Sequence, residues 1–254
     1  MVQASIAANF GTYFELKLAT TPELLAQVYQ VRYEVYCKEF GYLAEEQCPG
    51  QMEQDEYDER AQHALMIHRQ TQLPVGCIRL VRPEKDGRIC LLPFETFCAT
   101  FPEYSLSSNH LPRQSVGEMS RLAVVERFRR RKKDDKKPIS MPDDQESEGN
   151  ERRSNFPMIP VGLFTAGMSM FLRSSTDLAF ALMEPRLARL LQRFGIMFTQ
   201  AGEAVDHFGL RAPFALPRKR ALGVLLPEIE ELFTHIDAQL FGTGNGLGAD
   251  FNAT

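Results

Sequence analysis

Runs of apolar residues in the first part of the chain predict three strands and one helix. Residues 13–18 alternate in the manner of a short strand, and residues 64–68 and 75–81 predict two strands joined by a turn. A helix begins at Thr20-Thr21-Pro22-Glu23, where a hydroxyl cap, a proline in the first turn and an early glutamate come together. It ends by Gly41, and the polar, acidic residues 44–60 predict a loop.

The second part of the chain continues the alternation of strands and helices. Apolar residues at Val116, Leu122, Val124 and Val125 fit a buried strand. The later segments are predicted as helices over 161–172, 185–194 and 227–241, and as strands over 177–183 and 196–199, with a partner strand at 205–208. This order predicts an α/β or α+β fold around one mixed sheet.

The strand at 116–125 carries two charged residues, Glu118 and Arg121, among its apolar ones. Charged side chains are costly to bury unless they have partners. Two interpretations are open at this point. The residues form either a structural ion pair or part of a functional site, because both arrangements place charges inside proteins.

Composition limits the classes of function. The 254 residues are 44% hydrophobic, enough for one large domain with a core, and the net charge of −4 gives no overall attraction to nucleic acid or membranes. From residue 129 to 155 the chain is mostly charged and polar, so we expect a mobile insertion there. We expect a single domain over 1–241 with this insertion, and a flexible glycine-rich tail over 242–254.

The sequence does not indicate a metal or nucleotide site. The five cysteines form no CxxC pair and suit reduced thiols, and the five histidines lack zinc-like spacing. No GxGxxG or Walker loop follows a strand, so we expect no permanently bound cofactor. The N-terminus lacks a secretory pattern and the longest apolar run, 159–172, is too short for a bilayer. We therefore expect a cytoplasmic protein without an integral membrane segment.

Separated polar and aromatic residues together resemble a known pattern. In chain order they are Arg32, Tyr36 and Tyr42 (R-x3-aromatic-x5-aromatic), Asp55 and Asp58 (D-x-x-D), Arg79 (within G-C-I-R-L), and Glu118 and Arg121 (E-x-S-R). Their order and spacing resemble the acyl-homoserine-lactone (autoinducer) synthases and the long-chain N-acyl amino acid synthases, both of the Gcn5-related N-acetyltransferase (GNAT) fold. Over about residues 13–218, the chain resembles in particular the PEP-CTERM/exosortase system-associated acyltransferases.

The resemblance implies a GNAT-like fold, with a mixed central sheet flanked by helices, and attack of an amine on an acyl thioester. Most amines are protonated at neutral pH, so a base must remove a proton first. Glu118 is the candidate base, and Arg121 and Arg79 are the other catalytic candidates. In a second interpretation Glu118 only anchors one of these arginines. The oxyanion formed during attack needs N–H donors, which we expect from the backbone around 122–124.

The implied acyl donor is a phosphopantetheine thioester, carried as a co-substrate by acyl carrier protein or coenzyme A. The candidates for binding it are Leu122, Val124, Arg127, Arg129, Arg130 and Arg131. The basic run lacks the glycines of the usual pyrophosphate loop, which favours a single phosphate or the acidic surface of a carrier protein. The alternative is a solvated or disordered face. Acidic residues soon follow and only one aromatic residue, Phe128, lies among the basic ones, so we expect no nucleic-acid partner.

For the amine substrate, the resemblance implies one face of the first helix and the loop after it. The candidates are Arg32, Tyr36, Tyr42, Asp55 and Asp58. Arg32 and Tyr36 lie one helical turn apart, so they share a face. Aspartates bind an ammonium group, and an arginine such as Arg32 or Arg79 holds a carboxylate. The alternative for the two aspartates is a solvated acidic loop, since three glutamates lie among and beside them.

The apolar candidates have two interpretations as well. Phe164, Met168, Met170 and Phe180 are candidates for an acyl channel, although methionine- and phenylalanine-rich segments are more often core. Cys77 lies beside Arg79 with no histidine indicated nearby, so we interpret it as core.

Together these features predict an N-acyltransferase that moves a fatty acyl group from acyl carrier protein, or acyl-CoA, to the amino group of an amino acid or similar amine. One alternative is an acyl-homoserine-lactone synthase that uses S-adenosylmethionine. The other is a non-catalytic module that binds acyl carrier protein or an acyl lipid. Tyr36 and Tyr42 stand where autoinducer synthases usually carry phenylalanine and tryptophan, a difference that disfavours a lactone product.

Overall fold

The computed structural model describes residues 5–85, 88–106, 112–129, 157–222 and 225–243. The helices are Ile6–Tyr13 (α1), Pro22–Tyr33 (α2), Met158–Arg173 (α3), Pro185–Gln192 (α4), Arg218–Leu222 (α5) and Pro227–Phe241 (α6). The strands are Phe14–Leu18 (β1), Ala61–His68 (β2), Leu73–Val81 (β3), Glu84–Lys85 (β4), Arg88–Ile89 (β5), Val116–Val124 (β6), Leu178–Met183 (β7), Thr199–Gln200 (β8), Val205–Asp206 (β9) and Leu210–Pro217 (β10). The charged insertion and the tail expected from the sequence lie outside the described residues, apart from Arg129, Gly242 and Thr243. None of the helices described is long and apolar enough to cross a membrane.

A mixed sheet in the order β1-β2-β3-β6-β7-β10-β8 forms the centre of the described structure. Its neighbouring strands are antiparallel except β6 and β7, which are parallel. In the β3–β6 register, Arg79 lies opposite Ser120 and Val81 lies opposite Glu118. Two candidate residues that are far apart in the sequence therefore come side by side.

Helix α2 begins where the sequence predicts. The Thr21 hydroxyl accepts a hydrogen bond from the Leu24 N–H at 3.4 Å, and Pro22 occupies the first position. After α2, a π-helical turn at Glu34–Glu39 carries the chain toward Gly41. This path directs Arg32 and Tyr36 toward the sheet, where Arg32 is fully buried.

Apolar side chains cover both faces of the sheet. On one face α1, α3 and α6 pack into the larger core, which includes Phe10, Ile78 and Phe171. On the other face, α2 packs at one end against Cys77, and the segment from residue 92 to 106 packs at the other end against Val81. Arg79 lies between these two residues on β3, and alternate strand residues share a face. Its side chain therefore enters the space between the two smaller cores.

Strands β6 and β7 diverge partway along their length. They pair over residues 116–118 and 178–180, and within the described residues the pairing ends there. Both strands nevertheless continue, β6 to Val124 and β7 to Met183. The sheet is consequently open between its two central strands, starting at Glu118.

A bulge marks the same region of β6. Cys77 pairs with Ala123 and Arg79 with Ser120, so two residues of β6, Arg121 and Leu122, lie opposite a single residue of β3. Arg121 adopts a φ of 52°, in the left-handed region that residues other than glycine rarely occupy. The bulge bends β6 and redirects the side chains that follow it.

The structure corrects the sequence-based prediction after α4. Of the strand expected at 196–199, only the last residue lies in a strand, because Ile196 and Phe198 enter the core instead of a sheet ladder. Of the segment expected to partner it, at 205–208, only Val205 and Asp206 form a strand, β9, which pairs with β10 instead. The sequence does not predict β10 itself, because prolines at 213 and 217 disfavour a strand.

Candidate active site

A cavity of about 610 Å³ lies where β6 and β7 diverge, and residues from both faces of the sheet line it. The lining from the α3 face is apolar and includes Ile78, Met119, Phe164, Met183 and Leu187. The remaining lining is richer in polar and aromatic residues, including Tyr36, Tyr42, Asp55, Tyr57, Glu118, Arg121, His207, Phe208 and Arg211. The opening in the sheet thus joins an apolar compartment to a polar one.

Glu118 lies where the two strands begin to diverge and lines the cavity. Its side chain is buried, and one carboxylate oxygen accepts a hydrogen bond from the Phe94 N–H at 2.8 Å. Burial raises the pKa of Glu118 to about 8, against the opposing effects of the Phe94 N–H and the positive charges of Arg79 and Arg121. A carboxyl group with such a pKa can exchange a proton with an amine near neutral pH.

Beside Glu118, three arginines and three carboxylates form one largely buried cluster, called the ion-pair cluster below. Its members are Arg32, Arg79, Arg121, Glu53, Asp55 and Asp58. Equal numbers of opposite charges make the cluster neutral as a whole. The sequence contributes one arginine from α2, one from β3 and one from β6, and all three carboxylates from the loop before β2.

The two arginines of the cluster that are fully buried are held by pairs of carboxylates. Arg32 donates from Nε to Glu53 and from a terminal nitrogen to Asp58 at 2.7 Å. Arg79 donates to Asp55 at 2.6 Å and to Asp58 at 2.5 Å. Neither arginine lines the cavity. The structure therefore places the arginines that we expected to hold a substrate carboxylate behind the cavity wall, already paired.

The third arginine of the cluster reaches the cavity surface. Arg121 donates to Asp55 at 2.8 Å and to Glu53 at 3.1 Å, and its guanidinium carbon lies 5.6 Å from the centre of the Tyr36 ring. The Tyr36 hydroxyl in turn donates to the carbonyl of Leu122 at 3.0 Å. These contacts tie α2 and the acidic loop to the bulge in β6.

The charges of the cluster are fixed at neutral pH. Burial opposes ionisation of Glu53, Asp55 and Asp58, but the neighbouring guanidinium groups outweigh it and hold the pKa of each below its usual value. His63 lies 3.6 Å from Asp58, yet burial lowers the pKa of His63 to about 4. The histidine is therefore neutral and adds no charge to the cluster.

Aromatic side chains line the polar compartment. Tyr42 stacks on Phe208 with ring centres 4.5 Å apart, and its ring lies 6.4 Å from that of Tyr36. The His207 ring lies between those of Phe208 and Phe97, with ring centres 4.6 Å and 3.8 Å apart, respectively. Burial raises the pKa of Tyr36 to about 12 and also raises that of Tyr42, so both hydroxyls stay protonated and can donate hydrogen bonds.

The structure separates the residues that we expected to bind the acyl donor. Leu122 lines the cavity, whereas Val124 is buried in the core. Arg127 is exposed, with an ion pair to Glu34 at 3.7 Å. Arg129 points inward, pairs with Glu39 at 2.6 Å and donates to the Val124 carbonyl at 3.0 Å. The two remaining candidates, Arg130 and Arg131, lie outside the described residues.

Only part of the expected acyl-channel set lines the cavity. Phe164 does so, whereas Met168, Met170 and Phe180 are buried in the cores on either side. Cys77 is also core, and burial raises the pKa of its thiol to about 12. The methionines and Phe180 thus have the packing role that is the more frequent one for such residues.

Many residues of the site are absent from the sequence-based set. Four of these are Glu53, Tyr57, Phe94 and Arg211. Glu53 carries a usable signal, because it lies two residues before the D-x-x-D motif, but the acidic residues around it conceal that signal. Phe94 contributes a backbone N–H, which any residue except proline supplies. Arg211 lies on the strand that the sequence does not predict.

Comparison with known proteins bears on the fold. A family model described as Acetyltransferase (GNAT) domain matches residues 31–135. No curated protein matches the chain in sequence.

Solved structures that are similar to the chain include two bound to MTA. One is TofI, in a ternary complex with an inhibitor and MTA, at 17% identity and a TM-score of 0.55 over 85% of this chain and 96% of that one. Another is BjaI, a CoA-dependent acyl-homoserine lactone synthase with MTA, at 16% identity and a TM-score of 0.53 over 95% of this chain and 100% of that one. A third similar structure is that of FeeM, an N-acyl amino acid synthase from uncultured soil microbes. Its identity is 15%, and its TM-score is 0.50 over 85% of this chain and 96% of that one. The predicted fold class is confirmed: the chain has a GNAT-like fold with a mixed central sheet flanked by helices.

Proposed function

We propose that the protein is a GNAT-type N-acyltransferase. It moves a fatty acyl group from the thioester of acyl carrier protein, or of coenzyme A, to the amino group of an amino acid or a similar amine. The position of Glu118 carries this proposal. A buried carboxyl group with a pKa of about 8 stands where the apolar compartment meets the polar one, which is where an acyl carbonyl and an amine would have to meet.

The apolar compartment suits a fatty chain. Phe164 and Leu187 from the helices and Met119 and Met183 from the diverging strands surround it. Burial of each methylene group is worth about 0.8 kcal/mol, so a chain in this compartment contributes strongly to binding. The thioester carbonyl of a chain bound in this way lies at the opening between β6 and β7.

The proposed reaction requires one base and one leaving group. Glu118, in its ionised form, takes a proton from the ammonium group of the acceptor, directly or through a water. The amine nitrogen then attacks the thioester carbon, a C–N bond forms, and the C–S bond breaks. The thiolate leaves with the phosphopantetheine arm and takes up the second proton of the nitrogen. Proton transfer of this kind typically contributes a factor of about 10² to 10⁴ in rate.

The diverging edge of β6 suits the oxyanion. Beyond Glu118, that edge has no strand partner among the described residues, so its backbone N–H groups face the cavity rather than a neighbouring strand. N–H donors at the developing negative charge are usually worth about 3 kcal/mol each. The bulge at Arg121 places this stretch, including Leu122, on the cavity wall.

Two finer assignments rest on the sequence resemblance. One is acyl carrier protein as the preferred donor, which the basic run starting at Arg127 supports. The other is a place among the PEP-CTERM/exosortase-associated acyltransferases. An autoinducer synthase that uses S-adenosylmethionine is the second candidate, because TofI and BjaI share the fold and were solved with MTA bound.

The test measures thiol release from long-chain acyl carrier protein and acyl-CoA in the presence of a panel of amino acids or S-adenosylmethionine. Mass spectrometry identifies the products. Amine-dependent thiol release with an acylated amino acid as product supports the proposal, and an acyl-homoserine lactone supports the second candidate instead. Tight binding of the acylated carrier without turnover for any amine would show a binding module.

A pair of variants connects the activity to the site. Glu118→Gln removes the base, and Glu228→Gln changes a glutamate that is exposed on α6 and does not line the cavity. The proposal predicts that the first variant loses acyl transfer while the second keeps it. Equal activity of the two variants would remove Glu118 from the mechanism.

A further inference from the structure

Strand β10 brings one arginine, Arg211, to the wall of the cavity. The residue is half-buried, and its Nε atom is buried without a hydrogen-bond partner. A buried guanidinium N–H that lacks an acceptor costs free energy, because water no longer solvates it. An anionic ligand at this position would supply the missing acceptor.

The other arginines near the cavity are already occupied. Arg121 pairs with Glu53 and Asp55, and the two fully buried arginines of the ion-pair cluster lie behind the wall. Within the described ranges, Arg211 is the guanidinium that lines the cavity and has no carboxylate at ion-pair distance. An acid that enters the polar compartment therefore finds its free cationic partner at Arg211.

The surroundings of Arg211 favour a carboxylate. Its positive charge lies close enough to lower the pKa of His207, adding to the larger effect of burial, and this histidine is neutral and does not compete for the anion. Its charge and hydrogen bonding also oppose the burial-driven rise in the pKa of Tyr42, so the two side chains are neighbours. A protonated tyrosine and an arginine together provide three or more donors to one carboxylate.

Arg211 and Glu118 project from the same face of the sheet. Glu118 pairs with Phe180 on β7, and Phe180 pairs with Ala215 on β10, so these three residues lie side by side. Arg211 is four residues from Ala215 along β10, and residues separated by an even number in a strand share a face. The two backbone positions are offset by about 13 Å along the strands. Two long side chains extend from these positions into one compartment. The space between them accommodates a molecule that has both an amino group and a carboxylate.

We propose that Arg211 binds the carboxylate of the acyl acceptor, so that the acceptor is an amino acid rather than a simple amine. The inference rests on the proposed function. Arg211 is then a substrate-binding residue that orients the acceptor so that its amino group lies near Glu118. The phosphate of the donor is the other anion that an arginine commonly binds, and the experiment below separates the two.

The first measurement compares an accepted amino acid with its carboxamide, which has the same shape and amine but no negative charge. The comparison uses the wild type, Arg211→Gln, Arg211→Lys and, as a matched control, Arg220→Gln, whose guanidinium is exposed on α5. We expect Arg211→Gln to raise the KM for the amino acid by about 10- to 100-fold, since a hydrogen bond to a charged group is lost. The KM for the carboxamide should change little, and Arg211→Lys should restore part of the affinity.

A second arm of the experiment changes the donor. Acyl-N-acetylcysteamine has the thioester but no phosphate, and the effect of Arg211→Gln on the amino acid should persist with it. If the effect disappears with this donor, Arg211 binds the phosphate and the inference is wrong. It is also wrong if the wild type uses the carboxamide as efficiently as the acid.

A binding measurement keeps this inference separate from the proposed function. Isothermal titration of the wild type and Arg211→Gln with an N-acyl amino acid and with its carboxamide needs no turnover. Selective loss of affinity for the acid in the variant supports the role of Arg211, and equal affinities refute it. Absence of product from every pair of thioester and amine would refute the acyl-transfer proposal alone.

Discussion

Replacement of Glu118 by glutamine is the sharpest test of the site, because it changes ionisation with little change in shape. The glutamine carbonyl can still accept the hydrogen bond that the Phe94 N–H donates to the carboxylate at 2.8 Å. The ion-pair cluster keeps all its partners, since Arg79 and Arg121 pair with other carboxylates. Loss of activity in this variant would therefore reflect the loss of a group that accepts a proton.

The expected size of the effect on activity follows from the pKa of Glu118. With a pKa of about 8, the carboxyl is ionised in only about 1% of molecules at pH 6, and this fraction rises tenfold per pH unit toward a plateau above pH 8. The kcat/KM of the wild type should follow this rise. Glu118→Gln should lower the plateau by about 10²- to 10⁴-fold and remove this dependence on pH.

The same pKa predicts an effect on stability of opposite sign. The folded-state pKa of Glu118 lies above its ordinary value of 4.5, so folding favours the neutral form. Its contribution is fully present below pH 4.5 and is lost as the pH rises through 8. This difference between the two pKa values changes the free energy of unfolding by at most about 5 kcal/mol. The variant should therefore match the wild type near pH 4 and be more stable than it at pH 9.

Two assays decide the matter. A thiol-release assay from pH 5.5 to 9.5 measures the activity, and urea denaturation at pH 4, 7 and 9 measures the free energy of unfolding. The reasoning is refuted if wild-type activity is flat across this range, or if Glu118→Gln is less stable than the wild type at pH 9. Glu228→Gln, exposed in the first turn of α6, should keep the activity of the wild type and lack the gain in stability at pH 9 expected for Glu118→Gln.

Four further perturbations test other parts of the structure. Arg32→Ala leaves two buried carboxylates short of a partner, so urea denaturation at pH 7 should show a loss of about 3 to 5 kcal/mol; a loss below 1 kcal/mol would contradict the ion-pair cluster. The folded-state pKa of His63 lies near 4, below its usual 6.5, so its contribution to stability is lost as the pH falls from 6.5 to 4, by up to about 3 kcal/mol. In His63→Gln, the free energy of unfolding should therefore depend less on pH between 4 and 6.5. Asp55→Asn frees positive charge near Glu118, so the rise of kcat/KM with pH should move down by about one unit, and an unchanged profile would show that this charge does not reach the base. Phe164→Ala enlarges the apolar compartment, so competition among thioesters of increasing length should shift toward longer chains, by about fourfold per additional methylene that is buried; an unchanged preference would place the chain elsewhere.

Much of the fold follows from local sequence patterns. The cap at Thr21 and the proline at position 22 mark the start of α2, and the last helix begins and ends at the predicted residues. These signals are local, since they depend on capping and periodicity within one segment. The pairing of β10 with β7 is not local in this sense, because it depends on packing that overrides the cost of Pro213 inside a strand.

The site divides in the same way. The sequence places Glu118 among apolar residues of a strand, which predicts a buried charged group with a structural or functional role. The structure shows the buried carboxyl in that strand. The sequence does not reveal which arginines are free. The sequence resemblance selects Arg79 as a ligand for an acid and does not include Arg211. Only the fold shows that Arg79 is enclosed by Asp55 and Asp58, whereas Arg211 lines the cavity.

The neutrality of the ion-pair cluster and the elevated pKa of Glu118 are parts of one arrangement. Unpaired guanidinium groups beside Glu118 would favour its ionised form and lower its pKa toward the value of an ordinary carboxyl. Here Asp55 accepts hydrogen bonds from both Arg79 and Arg121, so their field at Glu118 is reduced and burial remains the largest effect on its pKa. The acidic loop thus acts on the base without touching it. It keeps the pKa of Glu118 raised, so that the carboxylate, when ionised, is basic enough to take a proton from an amine.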